Sequence, residues 1–136
     1  MEFTIKGKPV GKARPRVTKN GVYTPQKTKD KQKQIQAEYI KQGNVHYGDN
    51  SLKFTGIVEY AIPKSTTKAI KQQMLEGDIV PRVKPDIDNV AKLIMDALNG
   101  IAYKDDSQIA EIHLIKKYSL EPKTTIRIEE INANNK

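Results

Sequence analysis

The chain has 136 residues, with 24 Lys and Arg against 16 Asp and Glu for a net charge of +8, and it contains no cysteine. That length predicts a single domain over residues 1–136, and the lack of thiols excludes disulfides and thiolate metal centres, leaving hard oxygen ligands as the route to a metal. No apolar run approaches the ~18 residues of a membrane span, and the opening MEFTIKGKPV has no apolar signal segment, so the expectation is a soluble cytoplasmic protein with no membrane partner.

The charge is unevenly placed. Residues 1–50 carry 11 basic and 4 acidic side chains, a net +7, whereas residues 51–136 carry 13 and 12. A basic N-terminal part suits a polyanion better than a small-molecule substrate.

In chain order, EFTIKG alternates Phe3 and Ile5 with polar neighbours and predicts a strand. The following GKPVGKARPRVTKNGVYTP is broken by prolines and glycines, which argues against a helix. It carries Lys8, Lys12, Arg14 and Arg16, and its Asn20-Gly21 step suggests a tight hairpin. Such a segment is expected to lie exposed as a basic arm that grips phosphates. Thr24-Pro25 signals a helix start; the helix should run over about 25–42, with Ile35, Ala37, Tyr39 and Ile40 as its apolar stripe.

LKFTGIVEYAIP reads as a strand with a bulge at Gly56. STTKAIKQQMLEGD reads as a short helix opened at Ser65 or Thr66 and closed by Gly77, and the extended link after it carries Arg82 and Lys84. The next helix should span about 87–98, burying Val90, Leu93, Ile94, Ala97 and Leu98, and end at Asn99-Gly100. QIAEIHLIKKYSL and TTIRIEEI alternate well and predict a final hairpin. The sum is an α+β domain, a mixed sheet with helices packed against it.

The chemistry concentrates in KPDIDNVAKLIMDALNG. Asp88, Lys92 and Asp96 recur at four-residue steps and share one helix face; Asp86 sits just before it. An Asp at a helix N-terminus is explained by capping, worth about 0.5–2 kcal/mol, and Asp88 with Lys92 by an ordinary ion pair, about 0.2–0.5 kcal/mol. Two aspartates one residue apart exceed what capping needs, and they repel unless a cation lies between them. YKDDSQI then offers Asp105 and Asp106. If the following strand returns to the helix mouth, three carboxylates converge there, as an oxygen-only Mg²⁺ site requires. His113 lies in an alternating strand and His46 in a loop, and neither carries a catalytic signal.

Asp-x-Asp-Asn, a Lys four residues beyond the second Asp, Asp-Ala-Leu, and then Asp-Asp-x-Gln together resemble the signature of RusA-type Holliday junction resolvases, in particular the prophage-type members. The basic GKPVGKARPRVTKNGVYTP resembles their N-terminal loop. The resemblance implies a Mg²⁺-dependent endodeoxyribonuclease of recombination and repair, which cuts four-way junction DNA as a homodimer by paired nicks that leave 5′-phosphate and 3′-hydroxyl ends. It implies Asp86, Asp88 and Asp106 as metal ligands and Lys92 as the catalytic lysine, with Asp105 the weaker ligand candidate. Lys8, Lys12, Arg14, Arg16, Arg82 and Lys84 are the expected DNA contacts. Some members have an arginine directly before the first Asp; here that position is Pro85. The residues alone also allow a metal-dependent nuclease acting on flap or other branched DNA, or a basic DNA-binding protein without catalysis. With 6% aromatic residues and no Trp, an RNA-stacking platform is disfavoured.

Overall fold

The computed structural model describes residues 1–13 and 16–131. In chain order the elements are β1 (Glu2–Lys6), β2 (Arg16–Thr18), β3 (Gly21–Tyr23), α1 (Gln26–Gln42), β4 (Leu52–Ala61), α2 (Lys68–Glu76), α3 (Ile87–Ala97), β5 (Ile109–Ser119) and β6 (Lys123–Glu130). A 3₁₀ turn, Asp106–Gln108, leads into β5. Four strands form one mixed sheet in the order β1-β6-β4-β5, in which only β4 and β5 run parallel. β2 and β3 make a separate two-stranded hairpin, and the fold is α+β.

The alternation of each strand sets which side chains face the helices. Phe3 and Ile5 of β1 lie opposite Ile126 and Thr124 of β6. With Leu52, Phe54, Val58 and Tyr60 of β4 they form the buried side of the sheet. α1 packs against β1 and α3. Its Tyr39 meets the Phe3 ring edge-on, with centroids 5.0 Å apart at 88°, a contact worth about 0.5–1.5 kcal/mol beyond area burial. α3 buries Val90, Ala91, Leu93, Ile94, Ala97 and Leu98, the stripe its 3.6-residue period predicts. Gln36 Nε2 of α1 donates to Ala97 O at 3.0 Å and so satisfies a carbonyl at the end of α3.

Four expectations need correction. β5 and β6 are not a hairpin, because β4 lies between them and the Leu120–Pro122 connection passes over its end. Alternation sets a strand's faces, not its neighbours. The bulge is not at Gly56, which pairs regularly with Ile126 and Leu114; the register shifts between Leu52 and Lys53. At Gly56 a Cβ would collide with the Thr125 carbonyl, so glycine there serves a close approach. In α1, Ile35 and Tyr39 are buried but Ala37 is exposed and Ile40 is 51% exposed. α1 packs mainly against β1 and α3, along a single i, i+4 row that buried Thr28 extends toward the N-terminus. The fourth correction concerns the 3₁₀ turn before β5. Ile109 pairs with Leu52, at the first residue of β4, so the turn lies where α3 finishes and not where it starts.

Candidate functional site

The start of α3 is held from three sides. Tyr60 Oη, at the end of β4, donates to Pro85 O at 2.6 Å. Burial, followed by the charge of nearby Asp86, pushes that phenol up to about 12. Lys116 of β5 donates to Val83 O at 2.9 Å and lies over the Tyr60 ring. On the third side, Lys12 N–H donates to Asn89 O at 3.0 Å.

Asp86 occupies the N-cap position of α3, yet its side chain makes no capping hydrogen bond. Asp88 lies in the first turn, exposed. Among the described residues no salt bridge joins it to Lys92, which is exposed one turn along. Neither a capping hydrogen bond nor an ion pair therefore accounts for this acidic pair. Both carboxylates are exposed at the start of α3, and among the described residues neither makes a side-chain hydrogen bond or salt bridge.

The second acidic pair divides its roles. Asp105 caps the 3₁₀ turn: its carboxylate accepts from Ser107 N–H at 3.1 Å, and Gln108 Oε1 accepts from Asp105 N–H at 3.0 Å, completing a capping box. Hydrogen bonds from Ser107 hold the Asp105 carboxyl below its ordinary value. Asp106 has no such use. Desolvation first, then the charges of Asp105 and Asp96, push its carboxyl above the ordinary carboxylate value. Lys12 Nζ forms an ion pair with that same Asp96. Asp106 thus stands at the C-terminal half of α3. Asp88 and Asp96 are eight residues apart on the helix, about 12 Å of axial rise. Among the described residues no three His, Asp or Glu side chains are gathered as a ready metal cage. The expected convergence at the helix mouth is therefore replaced by two acidic pairs at opposite ends of one face, with Lys92 between them.

The donor chemistry at the first pair nevertheless fits a hard divalent cation. Mg²⁺ is usually held by one or two carboxylates, with waters and substrate phosphates completing its shell. Asp86 and Asp88 supply two unengaged carboxylates of that kind.

The Asp96–Asp106 contact has a measurable consequence. A carboxyl whose folded value is raised adds stability while protonated and loses it as pH rises through the carboxylate range. Asp106→Asn is therefore expected to raise the melting temperature at neutral pH, and the gain should shrink to nothing as pH falls below that range. A melting temperature equal to wild type at neutral pH would show that the pair carries no strain.

The expected arm is only partly free. Gly7 N–H donates to Pro122 O at 3.1 Å. Gln34 Nε2 donates to Lys6 O at 2.9 Å, and Lys31 Nζ reaches Lys8 O at 3.4 Å. Side chains of α1 satisfy the loop's carbonyls, which removes the penalty that argued for exposure. Lys12 is an anchor, its ammonium committed to Asp96. Lys8, Arg82 and Lys84 are exposed. Arg14 and the side chain of Arg16 lie outside the described residues. Beyond them a tight turn does close the β2–β3 hairpin, but one residue earlier than Asn20-Gly21: Thr18 pairs with Gly21, so Lys19-Asn20 make the turn, and Val17 is 79% exposed. His113 is exposed on the sheet face away from the helices, where with Thr55, Ile57 and Thr125 it lines a shallow depression of about 310 Å³. Sequence reasoning gave Asp96 no contact of its own, and the four-residue step from Lys92 was the available signal. Lys27 is exposed on the first turn of α1.

Comparison with known proteins agrees with these motifs. A family model described as "Endodeoxyribonuclease RusA" matches residues 6–129. The uncharacterized protein YqaN of Bacillus subtilis (strain 168) is 32% identical over 141 residues, covering 98% of both chains.

Proposed function

The chain belongs to the RusA family of endodeoxyribonucleases, and from that premise we propose that it is a Mg²⁺-dependent enzyme that resolves four-way DNA junctions by paired nicks in recombination and repair. The observation that carries this reading is the idle acidic pair: Asp86 at a cap position without capping, and Asp88 beside Lys92 without pairing. They leave two exposed carboxylates at the start of α3 without a protein partner among the described residues, the donor set a hard divalent cation takes.

In this reading Asp86 and Asp88 would hold the metal, and Asp106, expected as a third ligand, stands beside Asp96 toward the other end of the face. When bound, Mg²⁺ supplies charge neutralisation at the phosphodiester and an activated water. Lys92 meets the negative charge that develops on the phosphoryl oxygens. Asp96 is held by Lys12, so the basic segment is anchored to the acidic face. Lys8, Arg14, Arg16, Arg82 and Lys84 contact phosphates, while Lys12 orients the segment that carries them. Two copies related by a two-fold axis match the two-fold symmetry of a four-way junction and cut strands of like polarity.

The test is incubation with a synthetic mobile junction, a flap and a linear duplex, with Mg²⁺ or EDTA, with cuts mapped to the nucleotide. Symmetric nicks on the junction in Mg²⁺ alone are expected. Equal cutting of the flap would move the substrate to branched DNA generally, and no cutting of any substrate would leave a DNA-binding protein.

A further inference from the structure

We propose that the cleft between the docked segment 8–13 and the start of α3 is a subsite for one unstacked nucleotide of a DNA strand; the assignment rests on the nuclease reading above and deepens it. The cleft encloses about 680 Å³, within the roughly 300–1,000 Å³ of small-molecule sites. A single nucleotide fits such a space and a duplex does not.

Its walls are preformed. Lys12 N–H bonds Asn89 O across the cleft's inner edge, and Lys12 Nζ holds Asp96. A Cβ at Gly11 would lie 3.0 Å from both Pro85 Cβ and Asn89 Cβ, so the two walls stand as close there as glycine allows. Pro9, Val10, Pro25 and Pro85 supply apolar lining. Proline has no backbone N–H to offer a base edge. Such walls take the face of any base and do not read its identity.

The rim is cationic. Lys8, Lys27 and Lys84 all line the cleft, and among the described residues none of them is in a salt bridge. Three like charges around one concavity raise its potential and draw in phosphate. The one carboxylate in the lining is Asp86. A strand seated here therefore has its base between the prolines, its flanking phosphates on the lysines and one phosphodiester at the acidic pair. This gives the enzyme a preference for strands unpaired at the cut, as they are at a branch point.

Lys27→Glu tests the assignment. Lys27 is exposed in the first turn of α1, where an acidic side chain suits the helix dipole, so the variant should fold. Binding of labelled oligothymidylate and of a short blunt duplex is measured in EDTA across a salt series. Lys64→Glu, an exposed site outside the cleft with the same charge change, is the control. In Lys27→Glu the slope of log K against log salt for the single strand should fall by about 0.7, one phosphate contact, while the control keeps the wild-type slope. Equal loss in both variants, or a duplex that binds as tightly as the single strand and responds equally to Lys27→Glu, overturns the subsite. The two readings fail separately. Single-strand binding through Lys27 without junction cutting in Mg²⁺ sinks the nuclease assignment and keeps the subsite, whereas normal cutting with an unchanged slope in Lys27→Glu does the reverse.

Discussion

Asp88→Asn is expected to abolish junction cutting while leaving junction binding in EDTA and thermal unfolding close to wild type. Asp88 is exposed and in no salt bridge among the described residues, so the fold loses only its interaction with the helix dipole. That is about 0.3–1 kcal/mol, against a typical total of 5–15 kcal/mol. Asparagine keeps the size and one oxygen but removes the charge that attracts a divalent cation. The rate should fall by at least the ~10²–10³-fold that follows removal of one charge-stabilising group from an active site. Single-turnover cutting in Mg²⁺ beside gel-shift binding in EDTA reads both quantities. Asp105→Asn is the contrasting variant: it weakens the cap of the 3₁₀ turn and should still cut. Wild-type cutting by Asp88→Asn would remove Asp88 from the site, and loss of cutting in Asp105→Asn alone would move the chemistry to the turn.

The contrast between those two aspartates marks how far sequence reasoning reaches. Asp86-Ile87-Asp88 and Asp105-Asp106 were legible as an excess of carboxylate over what capping needs. Which members were idle was not, because that depends on partners distant in the chain. Asp105 is taken by Ser107 and Gln108, both local and readable. Asp96 is taken by Lys12 from 84 positions away, and Asp106 lies beside Asp96. The same limit governed the sheet. Period-two alternation gave the inward face of β1 and of the first half of β4 correctly, since a side chain's face follows from its own strand, whereas the expected bulge at Gly56 put the second half of β4 out of phase. Strand order follows from which edges meet, so the apparent β5–β6 hairpin was in truth two neighbours of β4. Where β5 begins also follows from its pairing, so Asp106 stands toward the end of α3 and not at its start. The docked basic segment was missed for a related reason, because the donors that satisfy its carbonyls, Lys31 and Gln34, lie on the polar face of α1.

Leu93→Ala carries the largest expected loss of stability, and it separates the scaffold from the site. Leu93 is 0% exposed, on the face of α3 opposite the idle carboxylates. Truncation there removes buried methyl groups and leaves a cavity in the core, at a cost of about 2–5 kcal/mol. For a domain of this size that is a large fraction of the total, so the midpoint of chemical denaturation should drop steeply with an unchanged slope. Nothing in the acidic pair touches Leu93. At low temperature, where the variant remains folded, its cutting rate per folded molecule should match wild type. A preserved midpoint would show that α3 is not packed as described. A folded but inactive variant would mean that the spacing of Asp86, Asp88 and Lys92 depends on this one side chain, and the site would then be set by core packing as well as by the hydrogen bonds at Pro85 and Asn89.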